Sequence, residues 1–153
     1  MIRVVIDTNV LISFLFFSEK SQIEEIYSAW KDKLFDAAIS LEILKELVDV
    51  LSQAKIQDRA SIDIATIQTL LKDLVNRSIL FKPKYKLSNV LADQDDEKFI
   101  ELALTADAPY IVSGDKVFLN FGEYCRSDGQ VVKIISVSEF VAILRNMKSA
   151  ASS

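Results

Sequence analysis

The run Ile2-Arg3-Val4-Val5-Ile6 stops at Asp7-Thr8-Asn9, and apolar residues resume at Val10. A short, apolar, β-branched run of this kind reads as a fully buried strand. Such strands belong in parallel sheets, whose crossovers are helices, and this constrains the fold more than any other feature. A carboxylate, a hydroxyl and an amide at the end of that strand have two uses. They can cap the next turn, or they can do chemistry.

The rest of the chain repeats the pattern. Val10 to Phe17 and Ser21 to Trp30 have helical spacing, and Phe35 to Ile39 is a second apolar strand. Ser40 is placed as an N-cap before a helix with Leu41, Leu44, Leu47, Val48 and Leu51 on one stripe. Ser61 to Leu74 is helical in pattern, Ser78 to Phe81 is a short strand, and the stretch KPKYKLSNVLADQD is a loop. A helix follows over Asp95 to Ala106, then a buried strand over Tyr110 to Val112 that ends in Ser113-Gly114-Asp115. Val131 to Ile135 is a last strand and Ser138 to Met147 a last helix. Strands alternating with helices predict a three-layer α/β/α sandwich around a mainly parallel sheet. Three glycines and two prolines are too few for the tight turns of an all-β fold. Residues 1–148 are expected to form a single domain, and residues 149–153 a frayed tail.

Composition narrows the chemistry. The chain contains no histidine, which excludes imidazole metal sites and histidine general bases. Its single cysteine, Cys125, excludes thiolate zinc clusters and internal disulfides, and fits a reducing cytoplasm. Any metal must be held by oxygen, which points to Mg²⁺ or Mn²⁺. The net charge of −4 does not attract nucleic acid to the molecule as a whole, so a local basic patch or bound cations must do so. No apolar run is long enough to span a membrane. The first residues do not read as a signal peptide, because the apolar stretch breaks at Asp7 and no small-residue cleavage site follows.

In open parallel sheets, sites form beyond the C-terminal ends of the strands. Asp7 and Asp115 both follow strands there. Glu42 and Glu46 are four residues apart and can share a helix face, and Asp93, Asp95, Asp96 and Glu97 crowd the start of another helix. Each has an ordinary explanation: a turn former, a solvated helix face, acids that complement a helix dipole. Together they can converge on one edge. Gathered carboxylates repel unless a cation compensates them, and a divalent ion there can activate water and stabilise the leaving oxygen of a phosphodiester.

The segments VVIDTNVLIS, SLEILKELVDVL, DQDDEKFIELAL and YIVSGDKVFL, in that order and spacing, resemble the PIN-domain family. Within it they look closest to the single-domain, VapC-like ribonucleases that serve as toxins of toxin–antitoxin pairs. The resemblance implies a four- or five-stranded parallel sheet between helices, and Mg²⁺- or Mn²⁺-dependent cleavage of single-stranded RNA. By position it implies Asp7, Glu46, Asp96 and Asp115 as catalytic acids and metal ligands, with Thr8, Asn9 and Ser113 in support. Glu97 is the alternative to Asp96, and Asp93 is either a further ligand or a cap. Val117 stands where many relatives carry a second acid. The resemblance also implies a homodimer and a groove for an antitoxin protein, to which Phe14, Phe16, Phe17 and Trp30 are candidates; for each alone, core packing is the better explanation.

RNA needs positive groups outside the acidic centre. Candidates are Lys116, beside Asp115, Arg126 further on, and Lys82, Lys84 and Lys86 around Tyr85, on which a base can stack. Two other readings compete with a ribonuclease. One is a catalytically weak protein that keeps the fold for capture of RNA or a partner. The other is a small-molecule phosphohydrolase, disfavoured because the chain has neither a DxD nucleophile motif at Asp7 nor a glycine-rich phosphate loop.

Overall fold

The computed structural model describes residues 1–53 and 63–152. The first strand, β1 (Arg3–Ile6), has Val4 and Val5 fully buried. It is followed by α1 (Thr8–Ser13) and α2 (Gln22–Lys31), then β2 (Asp36–Ile39) and α3 (Leu41–Leu51). Ser40 caps α3 as its sequence predicts, accepting the Ile43 N–H at 3.2 Å.

Helix α4 (Ile64–Arg77) is capped by Asp63, which accepts the Thr66 N–H at 2.8 Å. Ser61 and Ile62, expected at its start, lie outside the described residues. Strand β3 (Ser78–Leu80) leads into an extended segment and a 3₁₀ turn (Gln94–Asp96). Then come α5 (Glu97–Ala106), β4 (Tyr110–Val112), α6 (Lys116–Phe121), β5 (Glu123–Cys125), β6 (Val131–Ile135) and α7 (Val137–Ser152). Helix α7 continues through residues where fraying is expected from the sequence.

The strands form one sheet in the order β3-β2-β1-β4-β6-β5, parallel except for β5 against β6. The sheet has six strands among the described residues, against the four or five expected. The addition is the edge strand β5, which pairs Cys125 with Val131 and Glu123 with Lys133. Helices cover both faces in a three-layer α/β/α arrangement. Helix α5 packs on β1, β2, β4 and β6, and eight of its ten residues are buried. Phe14 and Trp30 are core residues, with ring centroids 6.2 Å apart, whereas Phe16 is 52% exposed. Among the described residues no helix is long and apolar enough to cross a membrane.

The order places a topological switch point between β1 and β4. From β1 the chain winds to β2 and β3 on one side, while the strands that follow β4 lie on the other, β6 next to β4 and β5 at the edge. Connections leave in opposite directions there, so a crevice opens beyond the strand ends. Asp7 follows β1 and Ser113-Gly114-Asp115 follows β4, with Ile6 and Val112 in register.

Candidate active site

Asp7 is 6% exposed, and its own N–H donates to Val112 O at 2.9 Å, locking it to the end of β4. Its carboxylate Oδ2 accepts the Ser113 hydroxyl at 2.6 Å. Ser113 is fully buried, and its oxygen also accepts the Asp115 N–H at 3.1 Å. One hydroxyl therefore couples the two strand-end acids. Thr8 and Asn9 act on Asp7 through their backbone amides. Asp7 makes no side-chain cap bond at the start of α1, and the Thr8 hydroxyl is buried without a partner. Burial raises the pKa of Asp7. The Ser113 hydrogen bond and the Thr8 and Asn9 amides oppose that rise, and the charge of Asp115 adds to it.

Asp96 ends the 3₁₀ turn before α5. Its pKa is pushed up to about 6, first by burial, then by the charges of Asp7, Asp93, Asp115 and Asp95. Asp96 thus lies within the field of both strand-end acids. Asp93 caps the 3₁₀ turn by accepting the Asp95 N–H at 3.0 Å. Asp115 caps α6 by accepting the Val117 N–H at 2.9 Å.

The remaining acids have other duties. Glu46 is ion-paired with Lys98, whose side chain is 13% exposed. Burial lowers the pKa of Lys98, while Glu42 and Asp7 favour its charged form. The ammonium is thus paired with Glu46 and feels the charges of Glu42 and Asp7. Glu97 is 4% exposed and turned to the loop before it: its Oε1 accepts the N–H groups of Val90 at 2.8 Å and Leu91 at 3.2 Å. Glu101 similarly accepts the Leu87 N–H at 2.7 Å. Glu97, Lys98 and Glu101 all fall within the segment DQDDEKFIELAL, but nothing in it marks the Lys98 ion pair or these loop clamps. The only local signal is that Glu97 and Glu101 recur at a four-residue helical spacing among apolar neighbours.

The basic candidates separate. Lys116 is exposed at the first position of α6, next to Asp115. Lys86 lines a shallow cavity with Glu42, Lys98 and Glu97. The Lys84 N–H instead bonds Thr105 at the far end of α5, beside the Ala106 carbonyl that holds Arg3. Lys82 is exposed, and one face of the Tyr85 ring is covered by the Arg126 guanidinium, 4.1 Å from its centroid.

Among the described residues, no three acidic side chains stand close enough to grip one ion together. They are engaged singly: Asp7 with Ser113, Asp115 with the Val117 amide, Glu46 with Lys98. The donor chemistry nevertheless fits a hard divalent cation. The donors are oxygens only, burial raises the pKa values of both Asp7 and Asp96, with the charge of Asp7 adding to the rise at Asp96, and a hydroxyl next to Asp7 lacks a partner.

A parallel sheet with acids beyond its strand ends at the switch point is the α/β arrangement in which sites form in that crevice. The chain belongs to the PIN domain family, whose pattern it matches over residues 3–117. Proteins of this family are generally nucleases and generally use divalent metal ions. No curated protein matches the chain.

Proposed function

We propose that the protein is a metal-dependent endoribonuclease that hydrolyses phosphodiester bonds of single-stranded or structured RNA. The observation that carries this reading is the meeting of Asp7 and the Asp115 turn on the Ser113 hydroxyl at the switch point, with Asp96 within reach of both their charges. Asp7, Asp96 and Asp115 would hold Mg²⁺ or Mn²⁺, with Asp93 and the Lys98-paired Glu46 beside them. The ion would supply an activated water and charge stabilisation for the leaving oxygen. Ser113 fixes the Asp7 carboxylate and, through the Asp115 N–H, the spacing of the two strand ends. Lys116, beside Asp115, and Lys86, beside Lys98, would meet the phosphates. The resemblance to single-domain toxins supports the finer reading: a cytoplasmic, homodimeric toxin of a type II pair, held by a cognate antitoxin.

The test is cleavage of single-stranded RNA with Mg²⁺ or Mn²⁺ by wild type and Asp7→Asn. The substitution should slow cleavage by about a hundredfold or more, since metal-borne charge stabilisation is worth several kcal/mol. Equal rates would refute the reading.

The Lys98–Glu46 ion pair favours a second reading, a catalytically weak protein that captures RNA or a partner. Calorimetric titration with Mn²⁺ separates the two. Binding that disappears in Asp96→Asn supports the nuclease, and absence of binding in wild type supports capture.

A further inference from the structure

Beside the acidic cluster lies a cavity of about 270 Å³, walled by Leu91, Val117, Phe118 and Phe121, with Asp96 and Asn120 among its polar groups. Its apolar walls are not all explained by folding. Phe118 is buried and meets Phe99 in the core, with ring centroids 6.3 Å apart. Val117 and Phe121, one helical turn apart on α6, are 62% and 36% exposed. They present an apolar face to solvent at the rim of a charged site, where a purely solvated helix carries polar residues.

We propose that this cavity is a nucleobase subsite that receives the base next to the scissile phosphate of a single-stranded RNA. The inference rests on the ribonuclease reading and adds the substrate contact that reading lacks. Three features select a base. The volume is below the roughly 300–1,000 Å³ of sites for drug-sized ligands, so it suits one flat ring system rather than a longer segment. Phe121 and Val117 offer an aromatic and an aliphatic surface for a π-face, and the exposed Asn120 amide can both donate to and accept from a base edge. The cavity is continuous with the proposed metal ligands through Asp96, and Lys116 precedes Val117 on the same helix. A nucleotide seated there keeps its phosphate beside the acids and a cation.

The test uses a short single-stranded RNA carrying one fluorescent purine analogue, with Asp7→Asn protein to block cleavage. That background also removes one of the charges that repel RNA. Binding should quench the analogue. Adding Phe121→Ala should weaken binding about tenfold, in line with the value of one base–aromatic stack. Ala92→Trp, which fills the cavity from an exposed lining position, should abolish the quenching without relying on loss of Phe121. Unchanged quenching in both variants, or none in the parent protein, would overturn the subsite. The ribonuclease reading fails separately, if wild-type protein with Mg²⁺ or Mn²⁺ leaves RNA intact.

Discussion

Ser113 donates its hydroxyl to Asp7 at 2.6 Å although the two residues are 106 positions apart in the chain. The bond crosses the β1–β4 switch point and ties the first strand-end acid to the turn that carries Asp115. Both partners are buried, so neither has water as a substitute. Ser113→Ala should therefore cost about 1–3 kcal/mol of stability, the range for losing a buried partner of a charged group. It should also raise the pKa of Asp7 further, moving the acid limb of any metal-dependent rate to higher pH. Chemical denaturation and a pH–rate profile read these effects; an unshifted profile would show that Ser113 does not tune Asp7.

Asp96 titrates at about 6 in the folded protein, against 3.8 for an unperturbed aspartate. Between these values the folded state binds more protons than the unfolded one. The associated stabilisation is fully present below the lower value and lost as pH rises through the upper one. Asp96→Asn removes that dependence. At about pH 7.5 it should stabilise the protein by about 1–2 kcal/mol, a figure reduced for the solvent that reaches the group, and at about pH 4 it should change little. Urea denaturation at both pH values decides, and equal effects would contradict the assignment.

Lys98 brings a positive charge into the space a cation would share. Lys98→Met should make Mn²⁺ bind roughly five- to tenfold tighter, because it removes a repulsion within a partly buried site. It should also destabilise the metal-free protein, since Glu46 loses its partner beside Glu42. Calorimetry and thermal melts give the two readouts. Weaker Mn²⁺ binding in the variant would mean that Lys98 assembles the site rather than competing for it.

Glu97 is assigned to the loop rather than to the ion. Glu97→Ala should cost about 1–3 kcal/mol and speed hydrogen exchange at the Val90 and Leu91 amides. Glu97→Gln retains an acceptor oxygen and should leave Mn²⁺ affinity within about twofold, too small a change for a lost carboxylate ligand. A large fall in affinity for Glu97→Gln would return it to the metal site.

The apolar runs at Val4–Ile6, Ala37–Ile39 and Tyr110–Val112 made the parallel core legible, because strands buried on both faces leave no polar alternation to misread. Strand β5 was not legible. Glu123-Tyr124-Cys125 is short, carries no apolar run, and exists through pairing with β6 and the positive-φ Gly122 that turns the chain. Helix α6 was hidden for a similar reason: six residues are too few to show a period. Helix α1 begins at Thr8, earlier than its first apolar residue, because the Asp7 carbonyl already accepts from Val10 and Leu11. At the site, the strand-end acids could be read from sequence because topology places them. Lys98 and the loop-clamping role of Glu97 could not, since each depends on which way a helical side chain faces once α5 is packed.

Asp7, Asp96 and Asp115 do not stand close enough to grip one ion as they are placed here, so the nuclease proposal requires them to draw together when Mg²⁺ or Mn²⁺ binds. Crystals soaked in Mn²⁺ and measured by anomalous scattering test it most directly. An anomalous peak bonded to carboxylate oxygens of all three aspartates is the expected result. A peak confined to other acids, or none in crystals that leave this crevice open to solvent, would contradict it.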